Sequence, residues 1–562
     1  MLNETIAEHF SLLSKLMDIH GDNSFKSKSY ANAAFQVDKL PLQLAEMNKN
    51  EWAGIRGIGA SLAARVDELV STGRLSLLDE YIAKTPDGVV EMLAIKGLGP
   101  KKINTVWKEM EIESIGELLY ACNENRLILY KGFGEKTQNN VRDAILYMMS
   151  QQGKFLYQQA EPYIEGYRKQ LHSLFEKSLI GLTGEAARYA DVISQVDFII
   201  SQPEESIIKA LQSIGHEAEQ TDEGNLIYRM ENAPPLVLHS CTAANAGTIQ
   251  LLTTGPEVFA TYIEKKYSVS LTQTNYASEE VLFNSLNLPF IQPQHREIAV
   301  DETYYQKNVK KETANPSNIK GIIHSHSKWS DGGYTLEEMA TAAISKGFEY
   351  LVISDHSQAA GYAGGLRPEK IIQQHEETDR LNEKLAPFKI FKSIECDILG
   401  SGQLDYDDEV LQSLDLVIAS VHSSLKMSEE KAMQRLLAAI ENPYTLILGH
   451  MTGRLLLSRA GYPVDHKKII DACAANNVVI ELNAHPRRLD MDWRWIPYAL
   501  EKEVLISINP DAHSIEGFDD IKYGALAAQK ALLPAANNLS SFSLSEFEEW
   551  LYDVRGMKGT LG

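Results

Sequence analysis

Cysteine is scarce: there are four in 562 residues, at positions 122, 241, 396 and 473, and no Cys-x-x-Cys pair. That excludes a disulfide framework and a thiolate metal knot, and it predicts a reducing compartment. Long apolar runs are absent too. No stretch approaches the ~20 residues a membrane-spanning helix needs. The opening segment MLNETIAEHFSLLSKLM mixes acids into a helical period and lacks the layout of a signal peptide. The expected location is therefore cytoplasmic, with no membrane partner. Positive charge is in short supply: 54 lysines and arginines face 76 acids, a formal net charge of −22. Spread evenly, that charge would repel nucleic acid. What is present, 44% hydrophobic and 23% charged residues, is ordinary globular composition. The length suggests three or four domains.

Charge and histidine are not spread evenly. Residues 1–150 hold 17 basic and 20 acidic residues, a net of −3, so the remainder carries −19. Nine of the 15 histidines lie beyond residue 320. In the near-neutral third a short pattern recurs three times: Ile55-Arg56-Gly57-Ile58-Gly59, Ile95-Lys96-Gly97-Leu98-Gly99 and Tyr130-Lys131-Gly132-Phe133-Gly134. In each, a basic residue precedes Gly-apolar-Gly, and a helical run follows. Glycine permits a left-handed turn and close backbone approach. The free amides of the following helix suit a phosphate, so binding there needs little net positive charge.

These repeats resemble the helix-hairpin-helix motif of DNA repair proteins. Phe25 through Ala34, Gly57-Ile58-Gly59, Val66-Asp67-Glu68-Leu69 and Thr72-Gly73 are similar to the amino-terminal lyase domain of family X DNA polymerases. The resemblance implies DNA binding through Lys26, Lys28, Tyr30, Gly57, Gly59, Gly97, Gly99, Gly132 and Gly134. Active members of that family carry a Schiff-base lysine six residues after the second glycine. The position is Arg65 here. A guanidinium stays protonated and cannot serve as that nucleophile, so lyase activity is expected to be absent.

In the middle third, Thr183-Gly184-Glu185-Ala186-Ala187-Arg188 followed by Ser194-Gln195-Val196-Asp197 resembles the family X palm signature. Thr254-Gly255-Pro256, Ser278-Glu279-Glu280 and Leu286 through Arg296 resemble its thumb. Nucleotidyl transfer needs carboxylates that clamp two metal ions. The first carboxylate position is Gln195, the third falls near Pro235-Leu236-Val237-Leu238, and only Asp197 is acidic. Glu185 stands where the family has a phosphate-binding serine. Gln195 and Asp197 thus mark a degenerate palm, with polymerase chemistry expected to be lost.

From residue 318, apolar strands alternate with amphipathic helices. Candidate strands are 320–325, 350–355, 389–396, 414–421, 444–449, 477–483 and 504–510. Thr335 with Glu338 forms a capping box for the first helix, and Gly347 ends it. Seven such units predict a parallel barrel whose carboxyl-terminal strand ends share one face. Those ends carry His324-Ser325-His326, Asp331, Asp355-His356, Glu395, His422, His450 and Asp511-Ala512-His513. Residues i and i+2 on a strand point the same way, so both imidazoles of the first pair can reach one site. The set exceeds what one ion needs. It suits two or three divalent ions such as zinc, manganese or iron.

This pattern closely resembles the PHP (polymerase and histidinol phosphatase) domain, whose members are phosphoesterases. By that resemblance His324, His326, Glu395 and Asp511 would hold one metal. Glu395 would bridge to a second, held by His422 and His450. Asp331, His356 and His513 would surround a third. Glu395, His422 and Asp511 are the expected catalytic residues. Arg367, Arg454, Arg487 and Arg488 are candidates for holding substrate phosphates, and Asp355 is expected to orient a histidine.

Taken along its whole length, the chain is similar to bacterial family X DNA polymerases with a C-terminal PHP domain. The expected fold is multidomain: a helix-hairpin-helix region, an α+β nucleotidyltransferase-like palm and thumb, and a distorted (β/α)7 barrel. The expected divisions are 1–80 (lyase-like), 81–150 (fingers-like), 151–255 (palm), 256–317 (thumb) and 318–562 (PHP). The resemblance implies a metal-dependent phosphoesterase, a 3′–5′ exonuclease or 3′-end processing enzyme acting as a monomer on gapped or 3′-ended DNA. Three alternatives stay open: a weak gap-filling polymerase, a small-molecule phosphatase of the histidinol phosphatase type, and a DNA-binding scaffold.

Overall fold

The computed structural model describes residues 2–40, 42–55, 57–221 and 224–560. The chain forms two compact units, Met1–Gln152 and Gly153–Gly562. Among the described residues, no helix is long and apolar enough to cross a membrane.

The first unit is helical. Ile6, Phe10, Leu13 and Met17 recur at helical spacing on Asn3–His20 and pack with Tyr30, Ala33 and Val37 of Ser24–Asp38. The three glycine repeats adopt one geometry. Their first glycines, Gly57, Gly97 and Gly132, have φ of 87°, 90° and 95°. Their second glycines, Gly59, Gly99 and Gly134, each precede a helix. The residue between, Ile58, Leu98 or Phe133, is buried in the unit's core. A left-handed turn that inserts an apolar side chain and launches a helix accounts for all three glycine pairs. Arg56, the basic residue of the first repeat, lies outside the described residues.

Among the described residues, the second unit holds fourteen strands. A short ribbon pairs β1 (Phe155–Leu156) with β3 (Val192–Ile193). A five-stranded sheet contains β2 (Ile180–Thr183), β4 (Val196–Ile200), β5 (Glu219–Gln220), β6 (Leu226–Tyr228) and β7 (Leu236–Ser240), in the order β2-β4-β7-β6-β5. In this sheet β4 and β7 run parallel, pairing Asp197 with Val237. Helices from Ala246 to Asn308 follow, with a core of their own around Phe259 and Phe283.

The last seven strands are β8 (Gly321–Ser325), β9 (Tyr350–Ile353), β10 (Lys389–Asp397), β11 (Leu416–Ser420), β12 (Thr445–Leu448), β13 (Val479–Asn483) and β14 (Ile506–Asn509). They are parallel and neighbour one another in sequence order. Just beyond the strand ends the circle meets: His326 donates its backbone N–H to Ala512 O at 2.8 Å, and Ala512 donates to His324 O at 3.3 Å. The result is a nearly closed (β/α)7 barrel. The Thr335–Glu338 capping box forms as expected. Ile323, Val352, Phe391, Ile418 and Ile447 build a core with Phe547, Leu551 and Val554 of the helix Leu544–Lys558. That helix floors the barrel, leaving the carboxyl ends of the strands for chemistry.

The barrel is also tied to the helix Tyr157–Leu174 and to Asp191, which leads into β3 of the ribbon. Lys530, 2% exposed, donates to Asp191 at 3.3 Å, and Lys522 pairs with Glu161. Arg454 approaches Asp191 at 3.7 Å.

Candidate metal centre

Glu395 lies near the carboxyl end of β10, almost wholly buried. Its Oε1 meets His450 Nε2 at 2.9 Å, His422 Nε2 at 3.0 Å and His324 Nε2 at 3.3 Å. Its Oε2 meets His356 Nδ1 at 3.0 Å and His326 Nε2 at 3.6 Å. Five histidines from the strand ends thus face one carboxylate. Asp511 adds its Oδ1 at 3.2 Å from His326 Nε2 and 3.5 Å from His324 Nε2. Asp331 Oδ1 lies 3.4 Å from His513 Nε2 and 3.6 Å from His356 Nε2.

The ligand atoms fall into three overlapping groups, each gathered within 4.8 Å: His324, His326, Glu395 and Asp511; His326, Asp331, His356 and His513; and His356, Glu395 and His422. The first group is the set that the resemblance to PHP domains implies. In the third, His356 stands where His450 was expected, while His450 still touches Glu395. Several of these buried atoms are close to one another yet not aligned for a hydrogen bond, including His324 Nε2, His356 Nδ1 and Glu395 Oε2. Buried polar atoms are normally satisfied, so unaligned donors and acceptors gathered around one carboxylate fit cations. The donors are imidazole nitrogen and carboxylate oxygen with no thiolate, a set that suits borderline divalent ions. Cys396, next to Glu395, instead accepts the Asp405 N–H.

The fields are strong. Burial alone would raise the Glu395 carboxyl, but His422, His324 and His356 outweigh it and hold it well below the carboxylate range. Burial would depress His422, yet Glu395 and Asp397 push it up to about 10. Burial, with His513 and His356 alongside, lowers His326 to about 3. Protons and cations compete for these same nitrogens.

Local backbone explains how the first two ligands converge. Strict alternation along β8 was the expectation, but the strand is irregular between Ile322 and Ser325, and His324 has φ of 65°. Asp511 also sits in the left-handed region, at 53°. Non-glycine residues held there cost about 1–3 kcal/mol and cluster at functional sites. The two rings meet the site, 5.4 Å apart, through a bulge rather than through a regular pleat.

Two carboxylates escaped the sequence reading. Glu481, fully buried on β13, accepts the His324 Nδ1–H at 2.6 Å, which leaves Nε2 as the lone-pair nitrogen facing the cluster. It also accepts from Asn509 Nδ2, His450 N and Asn483 Nδ2 at 2.8, 3.1 and 3.0 Å. Asp397 stands 3.3 Å from His422 Nδ1, behind that ring.

The expected helpers fare unevenly. Asp355 orients no histidine. It accepts from Ser327, Ser330 and Gln374, pinning the loop that carries Asp331. Arg454 is spent on Asp492, the Arg488 and Leu489 carbonyls and Asp191, so it does not face the cluster. Its neighbour Arg488 does, with Nε 3.4 Å from Asp511 Oδ2. Arg367 and Arg487 are exposed.

In the five-stranded sheet, the partners of Asp197 are not acidic. Gln195 donates to its Oδ1 at 2.8 Å, and His239 Nε2 meets the same oxygen at 2.9 Å. His239, two residues beyond Val237 on the same face of β7, was not anticipated. It fills the position near which the third carboxylate was sought. Its Nδ1 meets Asn225 Oδ1 at 2.9 Å. Glu185 accepts from Ser194 N and Oγ. These residues line a cleft of about 650 Å³. Of its two carboxylates, one is already bonded twice and the other is held by Ser194. That is a poor cage for two divalent ions.

In the helical unit, Lys26 and Tyr30 line a cleft of about 680 Å³ together with Gly57 and Gly59. Lys28 is exposed. The Tyr30 ring, expected as a DNA contact, is buried against Phe10 at 5.6 Å, so only its edge can serve. Arg65 donates to Glu68 at 2.7 Å.

Comparison with known proteins gives two family matches: "Helix-hairpin-helix domain" over residues 1–75 and "PHP domain" over residues 323–485. The chain is 33% identical to the DNA polymerase/3′-5′ exonuclease PolX of Bacillus subtilis, over 98% of both proteins. It is 31% identical to a probable phosphatase of Caldanaerobacter subterraneus over 28% of this chain and 60% of that protein. A probable phosphatase of Acetivibrio thermocellus matches at 29% over 29% of this chain and 64% of its own length.

Proposed function

We infer the activity from one premise: the chain belongs to the PolX family, the family X DNA polymerases that carry a PHP domain. Within that family we assign it a metal-dependent phosphodiesterase activity on DNA, removing nucleotides 3′ to 5′, and no polymerase activity. The observation that carries this reading is the contrast between two sites. Around Glu395, six histidines and three carboxylates converge from the barrel's strand ends. Around Asp197, the neighbours are Gln195 and His239, which occupy the carboxylate instead of sharing cations with it.

Divalent ions held by His324, His326, Asp331, His356, Glu395, His422, His450, Asp511 and His513 would supply an activated nucleophile and neutralise phosphoryl charge. We expect manganese, zinc or iron from the nitrogen and oxygen donors. The chain's own groups do the rest. Glu395 holds the ligand rings in register from the centre. Glu481 fixes which nitrogen of His324 faces inward, and Asp397 stands behind His422 as a counter-charge. Arg488, beside Asp511, is placed to pair with a phosphate oxygen. The hairpin turns of residues 1–150 would grip the DNA backbone through amides, which reconciles DNA binding with a net charge of −22. In this reading 1–80 and 81–150 dock DNA, 151–255 and 256–317 are a palm and thumb retained as platform, and 318–562 carries the chemistry.

A manganese-supported digestion of gapped and 3′-recessed DNA by wild type and His422→Ala, run beside primer extension, tests the reading. We expect shortening by wild type alone and extension by neither. Metal-loaded wild type that leaves DNA intact would overturn it. The similarity of the barrel to probable phosphatases favours one second reading, a small-molecule phosphatase. Turnover of phosphomonoesters without DNA binding would select it.

A further inference from the structure

Beside the candidate metal centre stands an aromatic ring that packing does not explain. Tyr362 is 77% exposed, and its ring centroid lies 6.4 Å from that of His356, tilted by 52°. What sets this ring apart is its place: its face is open to solvent directly beside a ligand of the candidate centre, where a bound planar group could meet it.

The ring is not exposed because its loop is loose. The segment from His356 to Leu366 is tied at both ends: Leu366 donates its N–H to His356 O at 2.8 Å, and Ser357 bridges Leu366 in parallel. Ala360 donates to Ser357 O at 3.0 Å and Gly365 to Ala360 O at 3.2 Å. Behind the loop, the Tyr406 hydroxyl donates to Leu366 O and accepts the Gln358 N–H, while Asp405 accepts the Ala359 N–H at 2.6 Å. Ala360, Ala363 and Leu366 are 1%, 4% and 0% exposed. The loop is therefore a fixed mount that buries Ala360, Ala363 and Leu366 and presents one ring. Gly365 is required for the mount to close, because a Cβ there would fall 1.9 Å from Ser357 O.

A fixed, exposed, flat apolar face beside a cluster that draws phosphate fits one ligand chemistry, a nucleobase attached to the phosphate under attack. Every base has a π-face, so stacking tolerates all four and needs no hydrogen-bond code. Arg488 flanks the cluster at Asp511, while Tyr362 stands at His356. One can take phosphate while the other takes base.

We propose that Tyr362 is the base-stacking platform of this site and makes it prefer a base-bearing phosphodiester end to a small phosphate ester. The proposal rests on the phosphodiesterase reading above and names what that site recognises.

The test compares Tyr362→Ala, Tyr362→Phe and Tyr362→Trp with wild type on three substrates. These are a single strand with a normal 3′ nucleotide, the same strand with an abasic 3′ terminus, and bis-p-nitrophenyl phosphate. Stacking is worth about 1–3 kcal/mol per base, so Tyr362→Ala should lose roughly 5- to 150-fold in kcat/KM on the normal strand. The loss should sit mainly in KM. The abasic strand and the small ester should be unaffected, and Phe and Trp should restore the normal strand. A binding readout accompanies it: 2-aminopurine at the 3′ end of a phosphorothioate-capped strand should be quenched by wild type and Tyr362→Phe but not by Tyr362→Ala. Equal losses on all three substrates, or unchanged kcat/KM on the normal strand, would overturn the proposal. Wild type inactive on both strands but active on the small ester would instead refute the DNA reading on which it rests.

Discussion

Replacing Glu481 with glutamine should weaken metal binding by about tenfold or more although Glu481 stands behind the ligands rather than among them. Each of its oxygens accepts two hydrogen bonds: Oε2 from His324 Nδ1 and Asn509 Nδ2, Oε1 from His450 N and Asn483 Nδ2. All four partners are donors, and a glutamine offers only one acceptor oxygen. If its NH2 faces His450, a backbone N–H that cannot rotate away is stranded, at about 1–3 kcal/mol. If it faces His324, the imidazole must move its proton to Nε2, the nitrogen directed at Glu395 and Asp511. Either way the first ligand of the cluster is misoriented. Partners of this kind are worth about 10- to 100-fold in metal affinity, or roughly 1.4–2.7 kcal/mol. The assay is chelator competition with elemental counting on wild type and Glu481→Gln, with thermal unfolding in excess chelator to separate folding from binding. We expect unfolding temperatures to fall modestly and affinity to fall by the stated factor. A variant that keeps full metal content and affinity within about twofold would refute the argument that Glu481 sets the tautomer of His324.

Asp197→Ala should leave primer extension at background and exonuclease activity unchanged, yet lower stability by about 1–3 kcal/mol through the stranded His239, as read by denaturant unfolding. Asp520 gives a pH signature. Burial, with Asp519 and Asp511 nearby, raises it to about 7. The unfolded chain releases this proton near pH ~4 and the folded one near 7, so its ionisation costs stability as pH rises between them. Asp520→Asn should therefore match wild type at about pH 4 and unfold at a higher temperature at about pH 8; an unchanged difference across that range would contradict the assignment. Lys26→Ala combined with Lys28→Ala should weaken DNA binding regardless of sequence. It should also reduce the slope of log affinity against log salt by about one for each phosphate left without its lysine.

The barrel was legible because its strands are apolar runs that end in histidines and acids. The run predicted at 389–396 is β10, Lys389–Asp397, and the run at 444–449 contains β12, Thr445–Leu448. The ligand candidates could be read at those ends because ends of parallel strands must converge. What stayed hidden has no spacing of its own. Glu481 sits inside Val479-Ile480-Glu481-Leu482, and a carboxylate in mid-strand signals nothing until the histidine it serves, 157 positions earlier, is placed beside it. His239 and Asp197 meet only once β4 and β7 pair in parallel. Arg454 looked available because its loop follows β12. It is held by Asp492 and Asp191, and neither pairing can be read from loop composition.

The two sites also explain where the chain's acidity does and does not matter. Divalent ions need several carboxylates or imidazole lone pairs converging on one open point. Around Asp197, one oxygen is shared by an amide and an imidazole, and both nitrogens of that imidazole are already engaged, with Asp197 Oδ1 and Asn225 Oδ1. Neither nitrogen of His239 is therefore free for a metal, and the ring occupies Oδ1 of Asp197, one of the cleft's two carboxylates. Around Glu395 the same residue types are arranged oppositely. Glu481 takes the outer proton of His324 and a main-chain carbonyl faces His513 Nδ1, so the inner nitrogens are free to accept a cation. The difference between a clamp closed on itself and one open to metals therefore lies less in how many acids each holds than in what stands on the two sides of each histidine. In the sheet, both sides are occupied by partners from the protein. At His324 and His513 in the barrel, one side is occupied and the other faces the site.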